Sequence, residues 1–116
     1  MTGRLLASLL TALAFPLAAS AHSLLLEATP APNAVVAAPA RVELRFNNRI
    51  EPKLSRIRLV DERGARRDLP VGTHGGPDRV SAPLSTLSPG PYRIEWQVLS
   101  TDGHIVSGRF SFRVPP

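Results

Sequence analysis

The sequence contains no cysteine among its 116 residues. Disulfides, thiolate zinc sites, iron–sulfur clusters and cysteine nucleophiles are therefore excluded. Its only methionine is Met1, so thioether ligands are also scarce. Hydrophobic residues make up 43% of the chain and charged residues 20%, a composition that suits one small folded domain and argues against disorder or a coiled coil.

The first 21 residues have the layout of a secretory signal peptide. Arg4 supplies a positive charge, Leu5 to Leu17 form an apolar segment, and Ala19-Ser20-Ala21 is a small-residue cleavage site. The alternative is an uncleaved membrane anchor. It is disfavoured because the apolar segment is interrupted by Pro16 and is shorter than the roughly 20 residues that span a bilayer.

We therefore predict cleavage after residue 21, export, and a mature domain of residues 22–116 that begins with His22. No later apolar run is long enough to cross a membrane, so no membrane span is expected after cleavage.

The net charge of +5 does not by itself indicate a nucleic-acid partner. The arginines are spread along the chain, and Tyr92 and Trp96 are the only aromatic residues besides phenylalanine. A basic groove with a stacking platform is therefore not visible, and export also argues against such a role. We interpret the arginines as residues on the solvated, outward faces of strands. We expect no nucleic-acid partner.

Alternating hydrophobic and polar residues predict an all-β domain. The expected strands are Ser23–Ala28, 41–46, 56–60, Arg79–Ala82, Tyr92–Leu99 and 109–114, while residues 66–78 are expected to be mostly loop. No segment has a sustained helical period. Six or seven short strands with this spacing are typical of an antiparallel, immunoglobulin-like sandwich or barrel.

The candidate metal-binding or catalytic residues include three histidines: His22, His74 and His104. Asp102 lies two residues before His104 in a segment that joins two predicted strands. Asp-Gly is a preferred pair in hairpin turns, so the role of Asp102 could be limited to forming the turn. In an extended stretch, however, residues two apart point to the same side, which would bring this carboxylate and imidazole together.

Cleavage would give His22 a free α-amine beside its imidazole, and the two nitrogens can chelate one ion. The alternative for His22 is a frayed, solvated terminus. Together with His104 and Asp102, the set has three nitrogens and one oxygen. Such a sulfur-free set suits tetragonal Cu(II), which binds more tightly than zinc or nickel in the usual affinity order. We therefore expect a metal site of His22, Asp102 and His104.

The mature chain resembles the CopC family of periplasmic copper-resistance proteins. The resemblance covers essentially all of residues 22–116 and rests on the His22 start, Ala28-Thr29-Pro30, Val42 to Phe46, and the segment from Tyr92 to His104 with Gly108 and Phe112 following. The tail has the pattern W-x-x-x-S-x-D-x-H-x-x-x-G, which is specific when it is joined to a terminal histidine.

The resemblance implies a seven-stranded Greek-key β-sandwich or barrel, a periplasmic location, and one Cu(II) per chain on His22, Asp102 and His104. Some family members have a glutamate where this chain has Asn48, whose uncharged amide oxygen is a poorer donor, so Asn48 is expected at most beside the site. The methionine-rich Cu(I) loop of some members is missing here, and the corresponding residues 61–76 hold only His74, which is interpreted as an ordinary loop residue.

The leading functional hypothesis is a non-enzymatic Cu(II) carrier. The resemblance makes an inner-membrane CopD-type copper transporter a plausible partner. An alternative is a small histidine-brace copper oxidoreductase similar to a lytic polysaccharide monooxygenase. Three features argue against that alternative: the short domain, the presence of only two aromatic residues besides phenylalanine, and an anionic Asp102 ligand, which would favour Cu(II) over Cu(I). A metal-free adhesion or docking module is the third hypothesis.

Overall fold

A computed structural model describes Gly3 and residues 24–116. Apart from Gly3, the predicted signal peptide, its cleavage site and His22 lie outside the described residues. Within the described part of the chain, no helix has the length and apolar character needed to cross a membrane.

The domain is a sandwich of two antiparallel sheets, as the alternation predicted. Its strands are β1 (Leu25–Thr29), β2 (Arg41–Phe46), β3 (Arg56–Val60), β4 (Arg66–Leu69), β5 (Arg79–Pro83), β6 (Gly90–Leu99) and β7 (Ile105–Val114), with a 3-10 turn at Pro52–Leu54. One sheet has the order β1-β2-β5 and the other the order β4-β3-β6-β7. Seven strands in two sheets confirm the expected fold class.

The core lies between the sheets and is built from the inward positions of the alternating strands. Large side chains there include Phe46, Ile57, Ile94, Trp96 and Phe112. The Phe46 and Trp96 rings meet edge to face with their centroids 5.3 Å apart. Burial of these side chains supplies the main driving force for folding.

The expectation that residues 66–78 are mostly loop is wrong at its start, because Arg66–Leu69 form strand β4. Only Leu69 of this strand is buried, so it carries no hydrophobic alternation. It pairs with β3 at the edge of the larger sheet, where one neighbouring strand is enough to hold it. Backbone pairing, which the sequence pattern does not reveal, is what forms this strand.

The long β6–β7 hairpin is the element that positions the candidate site. Its ten cross-strand pairs run from Gly90 and Val114 to Leu99 and Ile105. Residues 100–104 close the hairpin at one end of the sandwich.

Candidate metal site

A tight turn brings Asp102 and His104 together. The Gly103 amide donates to the Ser100 carbonyl at 2.9 Å, and the Ser100 amide donates to the His104 carbonyl at 3.0 Å. Gly103 has a φ of +88°, a conformation that glycine adopts without strain. This is the three-residue hairpin loop in which a turn is followed by a left-handed residue.

The carboxylate and the imidazole are in direct contact. His104 Nδ1 lies 3.2 Å from Asp102 Oδ1, and the side chains are 45% and 31% exposed, respectively. The backbone amide of His104 also donates to Asp102 Oδ1 at 3.2 Å. The two side chains therefore converge as their spacing indicated. They do so through a turn, whereas the sequence suggested an extended stretch.

Ser100 also contacts the carboxylate of Asp102. Its side chain is buried, and its hydroxyl donates to Asp102 Oδ1. This bond is the main cause that lowers the pKa of Asp102 below its ordinary value of 3.8, with further contributions from the amide and imidazole of His104. Asp102 is therefore a carboxylate at neutral pH and can offer an anionic oxygen to a cation.

Asn48 lies on the other side of the carboxylate. Its Nδ2 donates to Asp102 Oδ2 at 3.3 Å, and its own Oδ1 accepts the Arg49 amide at 2.9 Å. The side chain thus orients Asp102, which agrees with the expectation that Asn48 stands beside the site.

The start of β1 lies next to the same cluster. The Leu24 amide donates to Asn47 Oδ1 at 2.7 Å, and the Asn47 amide donates to the Leu24 carbonyl at 3.1 Å. Asn47 directly precedes Asn48, the residue that contacts Asp102. Leu24, two residues after His22 in the sequence, is therefore fixed against the neighbour of a residue that contacts Asp102.

The described residues alone do not complete a metal site. Among them, no group of three or more His, Asp or Glu side chains is close enough to hold an ion. His74 is exposed in the segment between β4 and β5 and joins no such group. Asp102 and His104 together could offer a single ion one carboxylate oxygen and one imidazole nitrogen.

Sequence reasoning missed the role of Ser100. The residue is part of the W-x-x-x-S-x-D-x-H pattern, so its signal was present in the sequence. The function of its hydroxyl became apparent only from its contact with Asp102. The contact of Asn48 joins residues 54 positions apart in the sequence, and spacing alone gives no indication of it.

Comparisons with known proteins point to one family. The family model described as the CopC domain matches residues 25–115. Copper resistance protein C of Xanthomonas campestris pv. juglandis is 34% identical in an alignment that covers 93% of this chain and 87% of that protein. Copper resistance protein C of Pseudomonas syringae pv. tomato is 32% identical, and the alignment covers 83% of this chain and 82% of that protein.

Solved structures agree with this result. The crystal structure of CopC from Methylosinus trichosporium OB3b superposes with a TM-score of 0.77 at 35% identity and covers 82% of this chain and 95% of that chain. The crystal structure of PcoC, a methionine-rich copper resistance protein from Escherichia coli, gives a TM-score of 0.71 at 27% identity. This match covers 81% of this chain and 99% of that chain.

Proposed function

The chain belongs to the CopC family, and on this premise we propose that it is an exported protein that binds one Cu(II) ion through His22, Asp102 and His104. In this proposal the protein sequesters or delivers copper and catalyses no reaction. Copper is its cargo.

One observation carries the proposal: the contact between Asp102 and His104 at the hairpin end, beside the anchored start of β1. Leu24 is hydrogen-bonded to Asn47, the neighbour of Asn48, and His22 is two residues away. Two residues of extended chain span about 7 Å. This keeps His22 within that distance of Leu24, on the side of the domain where Asn47 and Asn48 lie.

The donor set fits Cu(II) better than other common ions. A free amine, two imidazoles and a carboxylate provide nitrogen and oxygen donors that suit a tetragonal site. The low pKa of Asp102 keeps its oxygen anionic, so no proton has to leave it when the metal binds. The amine and imidazoles must be deprotonated, which makes copper affinity fall as the pH decreases.

Location and partner follow from the same premise. The signal-peptide layout of residues 1–21 supports export, and we place the mature protein, residues 22–116, in the periplasm. An inner-membrane copper transporter of the CopD type is the partner we propose for copper transfer.

The test is a Cu(II) competition titration of the protein exported and purified without a tag. We expect one tight Cu(II) per chain with a tetragonal, nitrogen-rich EPR spectrum. Asp102→Ala and His104→Ala should each weaken binding sharply, more so for His104, while the matched control His74→Ala should leave the affinity nearly unchanged. Absence of Cu(II) binding, or a greater loss for His74→Ala than for the other two, would overturn the assignment.

A second measurement separates a carrier from an oxidoreductase. The copper-loaded protein is mixed with ascorbate and oxygen, and peroxide is followed over time. A carrier should produce little more peroxide than the metal-free protein, and far less than the same amount of copper free in solution. Sustained copper-dependent turnover would replace the carrier proposal with the histidine-brace alternative.

A further inference from the structure

The outer surface of the larger sheet contains a cleft of about 420 Å³ that is rich in arginine. We call it the arginine cleft. One glutamate, Glu95, lies in it among five arginines: Arg56, Arg58, Arg66, Arg93 and Arg109. These residues are far apart in the sequence, and the expectation that the arginines are merely scattered over solvated faces does not describe this arrangement.

Strand register explains why the arginines meet. Arg58 of β3 pairs with Glu95 of β6, and Glu95 pairs with Arg109 of β7. Side chains alternate between the two faces of a strand, so the neighbours of these residues fill the core while the charged groups share the outer face. Adjacent strands are about 4.8 Å apart, which places the guanidinium groups within reach of one ligand.

The carboxylates on this face do not neutralise the cleft. Glu95 accepts from Arg93 Nη2 at 2.9 Å and lies 3.4 Å from Arg66 Nε, while Asp68 at the edge accepts from Arg58 Nε at 2.7 Å. These arginines lower the pKa values of both carboxyls, so both are charged at neutral pH.

Binding capacity remains in the cleft after these pairs are counted. Arg56 and Arg109 form no salt bridge with any residue in the described part of the chain. Their guanidinium groups are therefore available to pair with a ligand that supplies anionic oxygens.

The smaller sheet provides a contrast. Its outer surface pairs Arg45 with Glu27 at 3.1 Å and Arg79 with Glu43 at 2.7 Å. Arg41 on the same face of β2 has no salt bridge among the described residues, so the smaller sheet has an excess of one arginine over these two glutamates. The excess of positive charge is larger around the arginine cleft, where five arginines face Glu95 and Asp68.

We propose that the arginine cleft binds a carboxylate-rich segment of a partner protein. Guanidinium groups form charge-assisted hydrogen bonds with carboxylates, and Glu95 and Asp68 each already accept such a bond from an arginine on the same face. A bilayer is flat and would reach only the rim of a cleft. None of the large hydrophobic side chains exposed on the described surface lines it, which leaves a membrane without an insertion point there.

The arginine cleft lies partly on the same hairpin as Asp102 and His104. Gln97, which lines the cleft, is five residues before Asp102 on the same hairpin, a distance of at most about 17 Å along the chain. A partner held by the cleft would therefore lie beside the end of the sandwich that carries Asp102 and His104. The docking itself requires no bound metal.

The test uses a fluorescein-labelled octaglutamate peptide and the protein purified without a tag, with binding followed by fluorescence anisotropy at low salt. The double variant Arg56→Gln/Arg109→Gln leaves the ion pairs of the cleft intact. It should weaken binding by about tenfold, since charge-assisted hydrogen bonds are the stronger kind. Arg41→Gln/Arg63→Gln removes the same charge outside the cleft and should change the affinity by less than about twofold, as expected for distant screened charges.

A gain-of-binding variant distinguishes the cleft from a general charge effect. Glu95→Gln releases Arg66 and Arg93 and should tighten peptide binding several-fold, whereas Glu62→Gln, with the same change in net charge, should not. Equal effects of the cleft variants and their controls would overturn the proposal. So would binding to phosphatidylglycerol vesicles that exceeds peptide binding and depends on Arg56 and Arg109, because the ligand would then be a lipid surface.

Discussion

The indole ring of Trp96 occupies the space in which a side chain at position 108 would lie. Gly108 is the cross-strand partner of Trp96 in the β6–β7 hairpin. A Cβ atom added to Gly108 would overlap Trp96 Cζ2 and lie 2.8 Å from Cε2. The glycine that ends the W-x-x-x-S-x-D-x-H-x-x-x-G pattern therefore makes room for the tryptophan that begins it.

We expect Gly108→Ala to destabilise the domain by about 1–3 kcal/mol, the usual cost of overpacking a well-filled core. Trp96 is buried against Phe46 and has little freedom to move aside. Urea unfolding followed by tryptophan fluorescence measures the effect. Ser107→Ala, at the exposed neighbouring position, is the matched control and should stay within about 0.5 kcal/mol of the original protein. Equal stability of the two variants would show that the ring adjusts freely.

The Arg58–Asp68 pair predicts a local pH effect. The bond from Arg58 Nε lowers the pKa of Asp68 below its ordinary value of 3.8. Arg58→Gln should therefore raise the pKa of Asp68 towards 3.8 in an NMR titration of its carboxyl, while Arg41→Gln should leave it unchanged. An unaltered pKa of Asp68 in Arg58→Gln would show that the pair does not persist in solution.

The sign of the matching stability effect is fixed by linkage. A carboxyl whose pKa is lower in the folded than in the unfolded state stabilises the fold above the unfolded value, and this contribution is lost as the pH falls through the folded value. The original protein should therefore lose slightly more stability than Arg58→Gln on acidification below pH 3.8. The difference should be small because the pair is on the surface.

Much of this fold was predictable because its strands alternate strictly. Strands β2 and β3 have the predicted bounds, and the inward set of β6 from Tyr92 to Val98 packs in or against the core. Strand β4 was missed because its residues from Arg66 to Asp68 are exposed, and only backbone pairing with β3 forms it.

The same distinction applies to the sites. Spacing indicated that Asp102 and His104 would meet, and the structure brings them to 3.2 Å. Their role as copper ligands, and that of His22, stays a prediction. The arginine cleft depends on the register of β3, β6 and β7, so linear spacing suggested only scattered charges.

Weak binding of Cu(I) is a further prediction. Residues 22–116 contain no cysteine or methionine, and Cu(I) prefers soft sulfur ligands. The structurally similar PcoC, in contrast, is described as methionine rich. Competition with a Cu(I)-specific chelator under anaerobic conditions should show no tight site in this protein. A second, tight site that accepts Cu(I) and excludes Cu(II) would contradict the prediction.

The proposed amine ligand can be tested without changing any side chain. Intact mass and N-terminal sequencing of the exported protein first establish whether His22 is the mature terminus, as the Ala-Ser-Ala cleavage site predicts. Retention of residues 1–21, or cleavage elsewhere, would remove the main support for an amine ligand. With the terminus established, blocking the amine tests its role while the imidazole stays in place.

Acetylation of the His22 amine should strongly weaken Cu(II) binding at pH 7. Acetylation keeps the side chains of His22, Asp102 and His104 but converts the amine into an amide and adds no new amine. The chelate ring of amine and imidazole is then lost near neutral pH. The fold should be unaffected because termini tolerate modification, and circular dichroism checks this. Equal affinities in a Cu(II) competition titration would mean that the amine is not a ligand.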